Sequence, residues 1–277
     1  MSNVGTLTIS ELAPRIERRE VSPVEVTREI LDRIETVGGP INAFITVDAD
    51  RALAEARAAE DEIAGGHYRG PLHGIPLGIK DNIAVAGWPT TNGSALMRNR
   101  VTDFDAAAVE RFRAAGAVIV GKTTLHEWAM GGTCSNHFYG TTHNPWDQTR
   151  VPGGSSGGSA AAVSASLIYG SIGTDGYGSI RTPSSYCGVV GYKPTYGLVS
   201  RFGELPAASS TSDHIGPIAK SVRDAALLLN VIAGYDSRDP MSLHSESRDY
   251  TEKLDRGVKG LKIGVPKSYF FERALPE

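Results

Sequence analysis

Residues 74–80 (GIPLGIK) and 117–120 (AVIV) are the two short apolar runs that decide the fold class of this chain. Between them, a helical pattern of apolar positions runs from about residue 106 to residue 115. A strand, a helix and a second strand in this order predict an α/β fold.

Helices are predicted on the N-terminal side of these runs. Ser22 offers an N-cap hydroxyl, Pro23 stands at the first helical position and Glu25 at the third, which is typical of a helix start. An alanine-rich helix is predicted from about residue 50 to 64, where two glycines end it. The chain is therefore predicted to be one α/β domain, with a helical part over about residues 1–70 and a core over about 71–277.

Four more elements are predicted on the C-terminal side. They are a helix of small residues over 158–168, a short strand over 171–174, a helix over 221–234 and a strand over 261–265. An aromatic stretch follows at 269–271, and a domain seldom finishes so soon after a strand. We therefore expect further sequence downstream.

Composition and charge argue against several classes of protein. The 277 residues include 28 Lys plus Arg and 31 Asp plus Glu, so the net charge is -3 and provides no general attraction to nucleic acid. Hydrophobic residues make up 40% of the chain, which is enough for a large core. The start, MSNVGTLTIS, lacks the features of a secretory signal, and no run is long enough to cross a membrane. With Cys134 and Cys187 expected to be free thiols, a cytoplasmic location is predicted.

Residues 116–123 (GAVIVGKT) match the phosphate-binding pattern GxxxxGK[ST]. The residues between the two glycines predict a buried strand rather than the open loop that cradles a phosphate. A nucleotide-binding protein using residues 116–123 stays open as an alternative function.

Residues 153–157 (GGSSG) match GxSxG, the pattern of a nucleophilic serine at a strand-to-helix turn. The preceding residues are turn formers rather than a strand, and only the adjacent pair Asp213 and His214 could supply the acid and the base. His126 and Glu127 lack the second histidine of a zinc-protease pattern, so no metal site is predicted.

A serine cluster without a catalytic histidine is left. Residues 153–159 present three serines in a glycine-rich loop, and Ser179 follows a second glycine-rich loop after a predicted strand. A serine in such a site needs another base, and a buried lysine that has lost its proton can serve. Lys80 and Lys122 both end apolar runs, and spacing alone does not choose between them.

Residues 152–162 (PGGSSGGSAAA), followed by 173–175 (GTD) and 178–181 (GSIR), closely resemble the amidase signature family. The resemblance covers nearly the whole chain, because it extends to residues 74–82, 121–123, 144–146, 187–195 and 213–217. It implies a central mixed, twisted sheet covered by helices on both faces.

The resemblance also implies a Ser-Ser-Lys triad. Ser179 is then the nucleophile, Ser155 is the bridging serine after a cis Gly154–Ser155 bond, and Lys80 is the base, which leaves Lys122 a structural role. The groups implied to bind the oxyanion or the substrate are the backbone N–H groups of Gly176, Tyr177, Gly178 and Ser179, together with Met130 and Gly131.

The activity implied by the resemblance is hydrolysis of an amide carbon–nitrogen bond through a serine acyl-enzyme, with no metal or organic cofactor. The expected partner is a small-molecule amide, with esters, anilides and carbamates as further candidate substrates. The alternative within the family is the glutaminase subunit of a tRNA-dependent amidotransferase. Asp213-His214, where that subunit more often has Asp-Gln, weighs against it.

Two features depart from the family pattern. Residues 175–179 are DGYGS where the family usually has Asp-Thr-Gly-Gly-Ser, so Tyr177 stands where a glycine is expected. Either Gly176 has taken over the conformational role of that glycine, or the loop has another shape. Family members also generally continue well past residue 277. We therefore expect the C-terminal remainder of the fold to be a continuation or a second chain, with a homodimer as a further candidate assembly.

Overall fold

The centre of the structure is a mixed sheet. The computed structural model describes residues 4–205, 211–245, 248–266 and 268. The strands of the sheet are β1 (Phe44–Val47), β2 (Pro76–Lys80), β3 (Val118–Thr123), β4 (Gly170–Thr174), β5 (Val190–Gly191) and β6 (Ile215–Ala219). They lie in the order β1-β3-β2-β4-β6-β5, with β2 parallel to both of its neighbours and the other pairs antiparallel.

Helices flank this sheet, and they are numbered in chain order. They are α1 (Ile9–Glu17), α2 (Pro23–Thr36), α3 (Ala49–Ala64), α4 (Ala107–Ala114), α5 (Gly157–Ser164), α6 (Arg181–Cys187) and α7 (Val222–Ile232). The predicted unit of strand, helix and strand is β2, α4 and β3, so the α/β prediction is confirmed. None of the helices in the described ranges combines the length and the apolar character needed to cross a membrane.

Helices cover both faces of the sheet, as two glycines of β4 demonstrate. A Cβ on Gly170 would lie 2.8 Å from Leu228 of α7, whereas a Cβ on Gly173 would lie 2.8 Å from the Ser156 hydroxyl, just before α5. Side chains three positions apart in a strand point to opposite faces. Helices α7 and α5 therefore pack on opposite faces of β4, and both close approaches require glycine.

The predicted start of α2 is confirmed by its hydrogen bonds. The Ser22 hydroxyl accepts from the N–H groups of Val24 and Glu25 at 3.0 and 3.3 Å, and the Glu25 carboxylate accepts from the Ser22 N–H at 3.3 Å. This reciprocal pair satisfies donors that a helix start would otherwise leave exposed.

The first turn of α1 is bound to the start of α7. The Asp224 carboxylate accepts from the N–H groups of Ile9 and Ser10 at 3.1 and 2.9 Å. Lys220 adds bonds from its Nζ to the carbonyl oxygens of Gly5 and Leu7, at 3.1 and 3.0 Å. The beginning of the described chain is thus fixed to a distant element rather than free.

Two predictions about secondary structure are wrong. Helix α5 ends at Ser164 rather than at residue 168, because Ser166 adopts a φ of +56° and the chain turns toward β4. Residues 261–265 do not form a strand, and Ile263 is 80% exposed. A strand needs a hydrogen-bonded partner, and no segment among the described residues pairs with this one. The aromatic stretch at 269–271 lies outside the described residues.

Candidate active site

Lys80 lies where β2 ends, next to the end of β4. Its Nζ lies 2.8 Å from the Ser155 hydroxyl and 2.6 Å from the Thr174 hydroxyl, and all three side chains are buried. Strands β2 and β4 are parallel, so their carboxyl ends meet at the same edge of the sheet, where ligands commonly bind in α/β folds. The sheet thereby brings the lysine to the serine loop.

Burial lowers the pKa of Lys80 from the 10.5 of an ordinary lysine to about 8. The cause is the loss of hydration of the ammonium in the interior, which favours the neutral amine. Glu204 acts in the opposite direction, and so do Cys134, Asp213 and Asp175 with smaller effects. A neutral amine, which is the form that accepts a proton, is therefore well populated near pH 8.

Ser155 stands in the loop that leads into α5. The Gly154–Ser155 peptide bond is cis, as the resemblance implies. A Cβ on Gly154 would lie only 2.6 Å from the carbonyl oxygen of Gly131, so glycine is required there. Gly131 is therefore next to the Ser155 peptide, and Met130 beside it is 50% exposed. The structure thus brings the predicted Gly131 close to the bridging serine, with the predicted Met130 next to it in the chain.

Ser179 follows the loop after β4 and is half-buried. Its carbonyl oxygen accepts a hydrogen bond from the Ser156 N–H at 3.1 Å. Ser156 is the residue after Ser155, so this bond holds the backbone of Ser179 beside the serine loop. The structure accordingly brings Lys80, Ser155 and Ser179 to one region, as the resemblance implies.

Asp175 holds the loop before Ser179 in shape. Its carboxylate accepts from the N–H groups of Gly178 and Ile180 at 2.7 and 3.1 Å and from two guanidinium nitrogens of Arg181, both at 3.0 Å. Burial acts to raise the pKa of Asp175, but these hydrogen bonds outweigh burial and leave the pKa below its usual value. The loop is thus organised around a fixed negative charge.

The glycine that gives the loop its shape is Gly178. Gly178 has a φ of +122°, whereas Gly176 and Tyr177 are not in the left-handed region. Of the two alternatives for this loop, the one in which Gly176 takes over a conformational role is therefore not supported. Gly176 is needed for another reason, because a Cβ there would lie 2.6 Å from Asp213 Oδ1. Tyr177 is 79% exposed, so its ring needs no space inside the loop.

The backbone donors of this loop differ in availability. The Gly178 N–H, predicted to bind an oxyanion, donates to Asp175 and is therefore engaged within the loop. The N–H groups of Gly176, Tyr177 and Ser179 have no acceptor within the described part of the chain. Three donors of the predicted set are thus available to a ligand.

Lys122 has a different environment from Lys80. Its Nζ lies 2.9 Å from the Asp81 carboxylate and 3.2 Å from the Thr90 hydroxyl, and the ion pair is fully buried. Residues 118–123 form β3 rather than an open loop, so they do not form a phosphate cradle. The buried strand predicted between the two glycines is thus confirmed.

His214 does not act on the serines in this structure. Its Nδ1 contacts the carbonyl oxygens of Ser212 and Asp175, at 2.6 and 3.0 Å, and its Nε2 lies 3.1 Å from the Lys193 amine. The GxSxG interpretation with a histidine base therefore finds no geometry to support it, which agrees with the sequence argument.

Thr174 and Glu204 belong to the site but were not predicted. The Thr174 hydroxyl accepts from Lys80 and from the Asn82 amide, at 2.6 and 3.2 Å. Thr174 had a detectable signal, since it ends a predicted strand of the same kind as the one that Lys80 ends. No signal in the sequence pointed to Glu204, because residues 201–205 reach the site through tertiary pairing with residues 82 and 83.

Comparison with known proteins decides the family. A family model described as Amidase matches residues 25–277. The chain belongs to the amidase signature family. The recognition made from the serine-rich motifs is thus confirmed, as is the mixed sheet flanked by helices, which amidase signature structures share.

The relatives of this amidase signature chain include enzymes with different names. It is 49% identical over 265 residues to the A subunit of the glutamyl-tRNA(Gln) amidotransferase of Methylobacillus flagellatus, covering 96% of the chain and 54% of that protein. It superposes on the peptide amidase of Stenotrophomonas maltophilia with a TM-score of 0.86 and 42% identity, covering 90% of the chain and 53% of that protein. A bacterial aryl acylamidase gives a TM-score of 0.87 and 34% identity, with 94% and 54% covered. The chain spans about half the length of each relative.

Proposed function

We propose that this protein cleaves the carbon–nitrogen bond of an amide through a serine acyl-enzyme. The observation that carries the proposal is the 2.8 Å contact between the Lys80 amine and the Ser155 hydroxyl in a fully buried site. An amine with a pKa of about 8 is a competent general base near neutral pH. The contact thus connects the base to Ser155, the serine that is proposed to pass the proton of Ser179 to Lys80.

The proposed reaction begins with neutral Lys80. Its lone pair takes the proton of Ser155, Ser155 takes the proton of Ser179, and the Ser179 oxygen attacks the amide carbonyl. Return of the proton through Ser155 to the leaving nitrogen breaks the carbon–nitrogen bond and leaves an ester on Ser179. Water then attacks this ester with the same relay as base, and the acid is released.

The oxyanion is proposed to bind to the free backbone donors of the loop. These are the N–H groups of Gly176, Tyr177 and Ser179, because the Gly178 N–H is used by Asp175. Each preorganised donor of this kind contributes about 3 kcal/mol to the stability of a transition state. Asp175 acts on this step indirectly, by fixing the loop.

Two substrate classes have specific support. Hydrolysis of peptide amides or anilides is supported by the similarity to the peptide amidase and the aryl acylamidase. Release of ammonia from glutamine for a partner protein is supported by the 49% identity to the A subunit of an amidotransferase, and this similarity reduces the weight of Asp213-His214 as an argument against that activity. Both reactions would proceed through an ester of the respective acyl group on Ser179.

A serine-directed fluorophosphonate tests the nucleophile. We expect the probe to label Ser179 in the wild type and to fail on Ser179→Ala, with fluoride as the leaving group. Ser185→Ala, at an exposed serine of α6, is the matched control and should be labelled like the wild type. Equal labelling of Ser179→Ala would reject Ser179 as the nucleophile.

A substrate panel distinguishes the two classes. Glutamine, a peptide amide and an anilide are incubated with the protein, alone and with candidate partner proteins, and ammonia or aniline is measured. Turnover of the anilide or peptide amide by the protein alone supports the hydrolase. Turnover of glutamine that requires a partner supports the amidotransferase role.

A further inference from the structure

Glu204 is held beside the lysine end of β2 by backbone pairing. After Lys80 the chain turns back, with the Ile83 N–H donating to the Lys80 carbonyl at 2.9 Å. Ile83 forms an antiparallel bridge with Glu204. The next residue along, Leu205, donates its N–H to the Asn82 carbonyl at 2.7 Å. Two consecutive pairings therefore hold the backbone of Glu204 opposite Ile83, which lies across the turn from Lys80.

The carboxyl group of Glu204 is unusual for a buried acid. Its Oε1 is shielded from solvent and accepts no hydrogen bond from any described residue. Buried carboxylates are normally paired with a cation or with several donors. By contrast, Asp175 accepts bonds from three backbone N–H groups and from the Arg181 guanidinium, and Asp81 is paired with Lys122. Within the described ranges, Glu204 Oε1 is therefore left without a hydrogen-bond partner.

The charged groups around Glu204 favour a link to Lys80. Glu204 interacts electrostatically with Asp213, Lys80, Arg201 and Asp239. Of the two cations, Arg201 already forms an ion pair with Asp239. Four acidic groups raise the pKa of Lys80, and Glu204 has a larger effect on it than Cys134, Asp213 or Asp175. Asp175 is compensated by its ion pair with Arg181.

We propose that Glu204 is a positioning residue that retains the proton on Lys80, and so sets the pH above which the relay to Ser155 can work. The inference rests on the proposed function, in which only the neutral amine is a base. A negative carboxylate nearby stabilises the ammonium, whereas a neutral side chain of the same shape does not.

The two groups titrate as a coupled pair. Burial, with help from Asp213, raises the pKa of Glu204 to about 8, and burial lowers the pKa of Lys80 to about the same value. As pH rises through this range, ionisation of Glu204 makes the remaining proton on Lys80 harder to remove. The neutral amine of Lys80 therefore develops over a wider pH range, extending to higher pH, than it would without the Glu204 carboxylate.

Glu204→Gln tests the proposal through the pH profile of kcat/KM. Removing the charge should narrow the acid limb to that of a single proton and lower the pH at which kcat/KM reaches its plateau. At pH 7, where Glu204 still carries its proton, the variant and the wild type should differ little, and the gain in activity should appear at about pH 8 and above. Glu204→Asp keeps the charge and should retain a limb close to that of the wild type. Glu252→Gln, at an exposed glutamate paired with Arg256, is the control and should leave the profile unchanged. A merely structural role for Glu204 would change kcat or stability without moving the limb.

A second measurement does not depend on turnover. In protein labelled with 13C at lysine Cε, the Lys80 resonance, identified by its loss in Lys80→Met, is followed against pH. Two inflections in the wild type and one, at lower pH, in Glu204→Gln are expected. A single inflection in the wild type, or an unmoved midpoint in the variant, would overturn the role of Glu204. These outcomes are independent of whether an amide is hydrolysed, so they separate failure of this inference from failure of the proposed function.

Discussion

Replacing Lys80 by methionine tests the physical basis of the site, because the buried amine should destabilise the fold in proportion to its charge. Its pKa falls from 10.5 to about 8 on folding. At ~1.4 kcal/mol for each pH unit, the fold loses about 3 kcal/mol when Lys80 is protonated in both states. The folded-state pKa is depressed, so this cost is complete below pH 8 and disappears as pH rises to 10.5.

Lys80→Met should therefore gain stability relative to the wild type at low pH and lose that gain at high pH. The variant also loses the bonds from Nζ to Ser155 and Thr174, which costs ~1–3 kcal/mol at every pH. The decisive quantity is the change in the difference between the two proteins, which should be about 3 kcal/mol between pH 8 and pH 10.5.

Urea unfolding followed by circular dichroism at several pH values measures this difference. Lys259→Met, at an exposed position, is the control and should show a small difference that does not vary with pH. A difference between Lys80→Met and the wild type that stays constant from pH 7 to 10.5 would refute the reasoning, because Lys80 would then keep the same pKa in the folded and unfolded states.

Three further changes probe other parts of the structure. Lys122→Met leaves Asp81 as an uncompensated buried carboxylate, so the free energy of unfolding should fall by ~3–5 kcal/mol in urea titrations; ATP binding in the wild type that this change abolished would instead support the nucleotide-binding alternative. Thr174→Val removes the hydroxyl that accepts from Lys80, so kcat should fall by roughly tenfold or more with a smaller change in KM; an unchanged kcat would remove Thr174 from the site. Asp224→Ala removes the acceptor of two N–H groups at the start of α1, so it should cost ~1–2 kcal/mol and accelerate amide hydrogen exchange in that helix; exchange that stayed slow would argue against this cap.

Local patterns were sufficient to predict much of the fold. Strands β2 and β3 begin as apolar runs, and residues 22–25 alone are enough to predict the Ser22 cap. The order of the strands could not be predicted from the sequence, because β1 and β6 join the sheet through pairings between distant segments. The strand predicted at 261–265 failed for the same reason, since an apolar run becomes a strand only where a partner lies beside it.

The site was predicted through recognition of motifs rather than through geometry. The family motifs assigned roles to Lys80, Ser155 and Ser179, and the structure brings these residues to one region. Hydrogen-bond competition was not predictable in the same way. The engagement of the Gly178 N–H by Asp175 depends on how the loop closes, and no spacing in the sequence indicates it.

The two lysines that sequence spacing could not separate differ because of strand register. In the parallel pair β2 and β3, Lys80 lies opposite Thr123, whereas Lys122 lies opposite Ile79. Opposed residues share a face and neighbours along a strand alternate, so the two side chains point to opposite faces of the sheet. Lys122 meets a carboxylate, and its charge is neutralised by an ion pair. Lys80 meets hydroxyls, which accept hydrogen bonds without supplying a negative charge. The two lysines therefore differ by one position in the register of β2 and β3, and this places them on opposite faces of the sheet. As a result, Lys80 rather than Lys122 is the amine that can give up its proton near neutral pH.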